Sequence, residues 1–69
     1  MSLKLVFMEN YEFSPKDKPE KKYQIFVFLD PNSLTILTGT DLKGTFEKGK
    51  IYQCQLEVSY GKLKVTSVN

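Results

Sequence analysis

Residues 50–68, KIYQCQLEVSYGKLKVTSV, carry the clearest secondary-structure signal in the chain. Apolar and polar side chains alternate on both sides of Tyr60-Gly61, which is the pattern of two strands joined by a tight turn. In the strand at 50–60, the side chains predicted to face inward are Tyr52, Cys54, Leu56, Val58 and Tyr60. In the strand at 62–68, the predicted inward residues are Leu63 and Val65, and the outward ones are Lys62 and Lys64. The stretch therefore predicts an antiparallel hairpin of a β-sheet protein.

The composition extends this prediction to the whole chain. The 69 residues include no alanine, tryptophan, arginine or histidine, whereas valine, isoleucine, threonine, tyrosine and phenylalanine are frequent. β-Branched and aromatic residues favour strands, and a lack of alanine disfavours helices. We therefore expect a single small β-barrel domain over residues 1–69. Its core should be small, because a chain of about this length buries only about 60% of its unfolded-state surface.

Three further alternating segments precede the hairpin, at residues 3–13 (LKLVFMENYEF), 22–30 (KYQIFVFLD) and 34–40 (LTILTGT). In the first, Leu3, Leu5 and Phe7 alternate with a second set, and Tyr11 and Phe13 continue the phase of Phe7; the second set is Lys4, Val6 and Met8. Residues 41–49, DLKGTFEKG, contain two glycines and leave room for at most one helical turn. The expected fold is an all-β, five-stranded antiparallel barrel without substantial helix.

The segment at 22–30 is apolar on both of its faces. Tyr23, Ile25, Val27 and Leu29 alternate with a second set that is polar at its ends and has Phe26 and Phe28 in its middle. We assign the larger apolar set to the core, which places Phe26 and Phe28 on the outside, together with Leu37 of the next strand. Outward phenylalanines need a cover, and the chain itself, a second copy or a stacked nucleobase could each supply it.

Residues 14–22, SPKDKPEKK, form the one clear loop, with two prolines, four lysines and two acids. This composition predicts an exposed and positively charged segment. Lysines interspersed with acids also suit a purely solubilising surface, so the loop alone does not establish a ligand.

Candidates for catalysis are missing. The chain has no histidine, a single cysteine and no carboxylate pair on one strand face, so acid-base, nucleophilic and metal catalysis have no residues to perform them. Cys54 is expected to be a small core residue, because no base stands near it to activate the thiol. We expect a protein that is not an enzyme, with no cofactor, metal or small-molecule substrate.

The location of the protein is predicted from two patterns that the sequence lacks. No apolar run approaches the roughly 18 residues of a membrane span, and the first residues do not follow the signal-peptide pattern. The expected location is the cytoplasm, with no membrane partner.

The segment KGKIYQCQLEVSYGKLKVTSVN, residues 48–69, resembles the closing hairpin of single-stranded DNA-binding proteins of filamentous phages and of related small phage or plasmid proteins. A glycine and an aromatic residue introduce two alternating strands in both. The resemblance covers residues 22–69 and implies an OB-fold, a partly open five-stranded barrel that binds oligonucleotides on its second and third strands. It also implies binding through aromatic stacking and lysine contacts with little sequence specificity.

On this basis we predict a set of nucleic-acid-binding residues: Phe26 and Phe28 as the stacking platform, Tyr11 and Phe13 as further stacking residues, and Lys16, Lys18, Lys21, Lys22, Lys62 and Lys64 as backbone contacts. The predicted partners are single-stranded DNA or RNA and further copies of the chain, in a homodimer or higher assembly. The alternative is a non-enzymatic protein-interaction module or phage accessory protein that docks through an exposed sheet face.

Overall fold

The computed structural model describes all 69 residues, Met1–Asn69. Its five strands are β1 (Ser2–Phe13), β2 (Tyr23–Asp30), β3 (Thr35–Thr40), β4 (Ile51–Ser59) and β5 (Lys62–Val68). Each bound lies within one residue of its predicted position, because turn residues and charged residues interrupt the alternation at those points. The chain contains no helix, and therefore none that is long and apolar enough to cross a membrane.

The strands close into a barrel in the order β1-β2-β3-β5-β4, which confirms the predicted small OB-fold-like barrel. Four of the five neighbouring pairs are antiparallel, but β3 and β5 run parallel and are paired only at Gly39 and Val65. The expectation that all strands pair antiparallel is wrong at this seam. The crossover through residues 41–49 and β4 brings β5 back in the direction of β3, so the closing pair is parallel.

β1 pairs with two neighbouring strands in succession, and a β-bulge lies where one pairing gives way to the other. Its first half pairs with β4, from Ser2 to Val6, and its second half pairs with β2 as far as Phe13. The register shifts between Phe7 and Glu9, so Met8 is the extra residue and the alternation restarts after it. The prediction that Tyr11 and Phe13 continue the phase of Phe7 is therefore wrong, because Phe7 faces inward and the bulge turns the other two outward.

The core is formed by nine buried residues, three of them phenylalanines, and the half-buried rings of Phe46 and Tyr52 pack against it. The ring of Phe7 lies 5.4 Å from that of Phe28 and 6.3 Å from that of Phe26, measured between centroids. Phe46, from the segment between β3 and β4, lies 5.5 Å from Phe26 and 5.2 Å from Tyr52. These are tilted and edge-to-face contacts of the kind that aromatic pairs prefer. The segment 41–49, which we call the plug, thus packs against one end of the core without forming a helix.

The two faces of β2 are reversed relative to the prediction. Phe26 and Phe28 are 8% and 0% exposed and belong to the core, as does Leu37 on β3. The set from Tyr23 to Leu29 is only half-buried and lies on the outer surface. The inner face of a short barrel is enclosed only over its middle, and its ends open at the rims. Polar residues at both ends of a face therefore indicate an inner face, and here they are Gln24 and Asp30.

The residues of β4 predicted to face inward do so only in the part of the strand that forms the barrel wall. Tyr52 is half-buried, and Cys54 and Leu56 are buried, so Cys54 is confirmed as a core residue. Val58 and Tyr60 are wrongly predicted, because the β4–β5 hairpin projects beyond the barrel and exposes both. On β5, Leu63 and Val65 face inward and the two lysines outward, as predicted.

Candidate nucleic-acid interface

Three aromatic residues occupy neighbouring positions on the outer surface, and we call them the aromatic trio: Tyr11, Phe13 and Tyr23. Phe13 of β1 pairs directly with Tyr23 of β2, and Tyr11 lies two residues from Phe13 on the same face. Tyr11 and Phe13 are 47% and 49% exposed, and Tyr23 is half-buried. Each ring thus has surface available for stacking, on two rigid strands that hold it in place.

The trio stands at the base of the lysine loop. Phe13 immediately precedes the loop at 14–22, and Tyr23 immediately follows it, so the loop projects from the aromatic pair. Two backbone hydrogen bonds fold the loop into turns: the Lys18 N–H donates to the Pro15 carbonyl at 3.2 Å, and the Lys21 N–H donates to the Lys18 carbonyl at 3.0 Å. The loop is therefore a turned structure that presents its lysines to solvent.

The loop lysines are exposed and mostly unpaired. Lys22 lies 3.8 Å from a carboxylate oxygen of Glu12, and the two side chains are 66% and 50% exposed. An exposed pair at that distance contributes little to stability. No ion pair engages Lys16, Lys18 or Lys21. The loop carries an excess of two positive charges, which equals the formal net charge of the whole chain.

The structure places Lys62 and Lys64 away from the trio. They lie on β5 beside β3, where the two strands diverge from their single pairing at Gly39 and Val65. Together with Thr35 and Thr38 they line an open groove of about 360 Å³. Thr40, at one end of β3, pairs with Ile25, which in turn pairs with Tyr11 of the trio. The groove includes Thr35, at the opposite end of β3, so the two lysines lie remote from the trio.

The predicted site residues therefore fall into three groups. Tyr11, Phe13 and the four loop lysines are brought together, and Lys62 and Lys64 form a separate pair. Phe26 and Phe28 have no outer surface on which a base could stack, so the predicted platform is wrong in its residues. Tyr23, which was assigned to the core, takes part in the exposed cluster instead.

The sequence contains one sign that Tyr11 and Phe13 face outward, namely the position of Glu9. An uninterrupted alternation in β1 would place Glu9 on the inward phase of Phe7, where a carboxylate would lose its hydration. A one-residue shift after Phe7 avoids that cost, and it turns Tyr11 and Phe13 outward.

Among the nine buried residues of the core, Cys54 is the only one with an ionisable side chain. It is fully buried, and its Sγ lies 3.6 Å from the carbonyl oxygen of Tyr52. Burial raises the pKa of Cys54, because the thiolate would be poorly solvated there. The thiol is therefore protonated and shielded. The structure also shows no group of three or more side chains of the kinds that could bind a metal ion.

The fold and this surface together define a small OB-fold-like barrel with an exposed aromatic cluster beside a lysine-rich loop. No family model matches the chain, and comparison with curated proteins and with solved structures gives no match either. The relation to the single-stranded DNA-binding proteins of filamentous phages thus stays a prediction.

Proposed function

We propose that this protein binds single-stranded nucleic acid, DNA or RNA, with little sequence discrimination. The observation that supports this most is the exposure of Tyr11 and Phe13 on the outer sheet surface at the base of the lysine loop. An exposed pair of rings beside unpaired cations is the combination that a flexible polyanion with stacking bases requires.

The two chemical features act on different parts of the ligand. Rings held on paired strands lose little conformational freedom when a base stacks on them, and such stacking is worth about 1–3 kcal/mol for each base. Lys16, Lys18 and Lys21 neutralise phosphates as point charges, and the released counterions add affinity that falls as salt rises. The loop thus follows the backbone while the trio holds the bases.

The composition supports low specificity. Arginine, which reads guanine and phosphate with two parallel hydrogen bonds, is absent from the chain. Lysine gives no such geometric discrimination, and every base offers a face for stacking. A duplex hides its base faces, so the protein should prefer single strands.

The strand would run from the loop across the outer surface of β2 and β3, which is the ligand face of OB-folds. Lys62 and Lys64 lie on the far side of β3 and would contact only a strand long enough to reach them. By the resemblance of its hairpin, the protein would act as a small phage- or plasmid-type factor in the cytoplasm.

The test is fluorescence anisotropy with labelled oligo-dT and with the matching duplex, each at two salt concentrations. Phe13→Ala and Tyr11→Ala should each weaken oligo-dT binding by about 1–3 kcal/mol, which is roughly 5- to 150-fold. Both variants should keep the circular dichroism spectrum and the free energy of unfolding of the parent, because the two rings lie outside the core.

Tyr60→Ala provides the matched control, since Tyr60 is an almost fully exposed aromatic residue at the tip of the β4–β5 hairpin, outside the trio. Its oligo-dT affinity should equal that of the parent. Negligible binding by the parent at physiological salt would contradict the proposal and favour the interaction-module alternative. Equal losses in Tyr60→Ala and Phe13→Ala would show that the trio is not the binding site.

A further inference from the structure

The seam between β3 and β5 leaves two strand edges without a partner. The strands meet only at Gly39 and Val65 and diverge from that bridge toward their first residues. The opposite edge of β3 pairs with β2, and the opposite edge of β5 pairs with β4. No strand pairs with the two facing edges, at 35–38 and 62–64, and no backbone hydrogen bond from a turn or loop reaches these residues. Unpaired edges of this kind are a template for a further strand.

The open groove of about 360 Å³ lies between these two edges and has an inner and an outer layer. Leu37, which is buried, and Leu63, which is half-buried, form the inner layer. The outward residues of the two strands form the outer layer, and Lys62 and Lys64 are its cations. Successive side chains of an extended segment point to opposite faces, so a strand in the groove would direct every second side chain to each layer.

We propose that the β3–β5 seam binds an extended peptide segment in which acidic and apolar side chains alternate, as a strand added between β3 and β5. The backbone of such a segment supplies both N–H donors and carbonyl acceptors to the two open edges. In strand addition these main-chain hydrogen bonds give affinity, and the alternate side chains give specificity. Apolar side chains of the segment meet Leu37 and Leu63, and acidic ones meet the two lysines.

The charges at the groove favour an acidic segment. Lys62 and Lys64 are the only charged residues that line it, and both are exposed and free of ion pairs. Glu57 of β4 is level with Lys64 but forms no ion pair with it. Asp30, across β3 on β2, uses one carboxylate oxygen to accept the Asn32 N–H at 3.0 Å. The two ammonium groups are therefore available to carboxylates of a partner.

Other occupants suit the seam less well. A second copy that docked seam to seam would bring its own two lysines against Lys62 and Lys64, and like charges repel. A nucleic-acid strand would find no aromatic ring among the residues that line the groove. Its phosphates would also offer no donor to the carbonyl groups of the open edges. A peptide backbone satisfies both kinds of group.

The test is fluorescence anisotropy with a labelled hexapeptide in which glutamate and valine alternate. The parent should bind this peptide, and more tightly at low salt than at physiological salt. The double variant Lys62→Glu/Lys64→Glu should lower the affinity at least about tenfold, because two attractions become repulsions. Circular dichroism should show the variant folded, since both lysines are exposed.

Lys4→Glu/Lys48→Glu is the matched control, because it changes the net charge by the same amount at two exposed lysines outside the groove. Its peptide affinity should stay close to that of the parent. A peptide with lysine in place of glutamate should not bind. A peptide with proline in place of its second valine should bind more weakly, because proline has no N–H to donate to the strand edge.

Hydrogen exchange tests the added strand directly. Binding of the glutamate–valine peptide should slow the exchange of backbone amides within 35–38 and 62–64, since amides in a new ladder are protected. Protection confined to the loop at 14–22 would overturn the proposal. So would a parent that does not bind the peptide, equal losses in the two double variants, or equal binding of the lysine peptide.

The peptide site and the nucleic-acid site can fail separately. Tyr11→Ala and Phe13→Ala should bind the glutamate–valine peptide as the parent does, and oligo-dT affinity should fall by the same factor in the two double variants. If oligo-dT displaces the peptide and loses more affinity in Lys62→Glu/Lys64→Glu than in the control, the groove belongs to the nucleic-acid site and the proposal is wrong.

Discussion

The two faces of β2 are both apolar, yet they have different surroundings. On the inner face, Phe26 and Phe28 are packed among rings from β1 and from the plug. On the outer face, Ile25, Val27 and Leu29 are half-buried and lie outside the core. The inner face has two large apolar residues and the outer face has four. The count of apolar residues therefore does not determine which face becomes the core.

The difference shows how the apolar side chains of a strand are divided between the interior and the outer surface of a short barrel. In such a barrel only one or two side chains of each strand reach the enclosed interior, and the rest of each inner face lies at an open rim. The remaining apolar residues of the strand must lie outside, where they become available to other molecules. A sequence with apolar residues on both faces of a strand thus provides a core and a contact surface together.

The strongest test of this comparison is Phe28→Ala against Val27→Ala. Phe28 is fully buried, so its truncation should lower the free energy of unfolding by about 3–5 kcal/mol and could leave this small domain unfolded. Val27 is half-buried, so its loss should cost under about 1.5 kcal/mol. Urea denaturation followed by circular dichroism measures both. Equal costs would contradict the assignment of the two faces.

A second test adds volume to the inner face where there is no room. Gly39 pairs with Phe26, and a Cβ atom at this position would lie 2.7 Å from the Val65 carbonyl oxygen and 2.9 Å from Leu42 Cδ1. Gly39→Ala should therefore lower the free energy of unfolding by about 1–3 kcal/mol, through strain at the narrow β3–β5 seam. The exposed neighbour gives the control, since Thr40→Ala should change stability by about 0.5 kcal/mol or less. A Gly39→Ala variant as stable as the parent would show that the seam can widen without cost.

A third test addresses the outer surface and should leave stability unchanged. Replacing Lys18 and Lys21 with glutamine should lower affinity for all single-stranded sequences alike. It should also reduce the salt slope of log K by about 0.7 for each phosphate that is no longer neutralised. Salt titrations with several oligonucleotides measure this. A weaker affinity restricted to particular sequences would contradict a role in binding the backbone.

The smallest expected effect concerns pH and the inner face of β4. Burial raises the pKa of Cys54 above its ordinary value of 9.0, so the folded chain holds the thiol proton more tightly than the unfolded chain does. The resulting stability is fully present below pH 9.0 and is lost as pH rises through the raised pKa of the folded state. Urea denaturation at pH about 8 and about 10 should show a larger alkaline loss for the parent than for Cys54→Ala. Identical losses in the two proteins would mean that the thiol is not shielded in solution.

Much of the fold could be predicted from the sequence because its signals are local. Charged loops, prolines and the Tyr60-Gly61 turn limit the strands, and alternation shows that they are strands. The direction of each face is not local, since it depends on which neighbour a strand meets. Phe28 lies inside the barrel opposite Phe7 of β1, and the only local sign of this within 22–30 is the pair of polar residues at the ends of its face, Gln24 and Asp30. The candidate site is predicted in part for the same reason. Composition identifies its loop lysines, and Tyr11 and Phe13 are named as stacking residues, but the sequence puts Tyr23 in the core and Phe26 and Phe28 on the surface.

The bulge at Met8 has a consequence for how the length of this chain can change. Phe7 and Glu9 already pair with successive residues of β2, so removal of Met8 would leave every other pair of the β1–β2 ladder in register. Removal of a residue elsewhere in β1 would shift one part of the strand by a single position and exchange its core side with its surface side. A deletion at Met8 would cost the strand only its local bend. This position is thus the one place in β1 where a shorter variant can keep both its interior and its exterior.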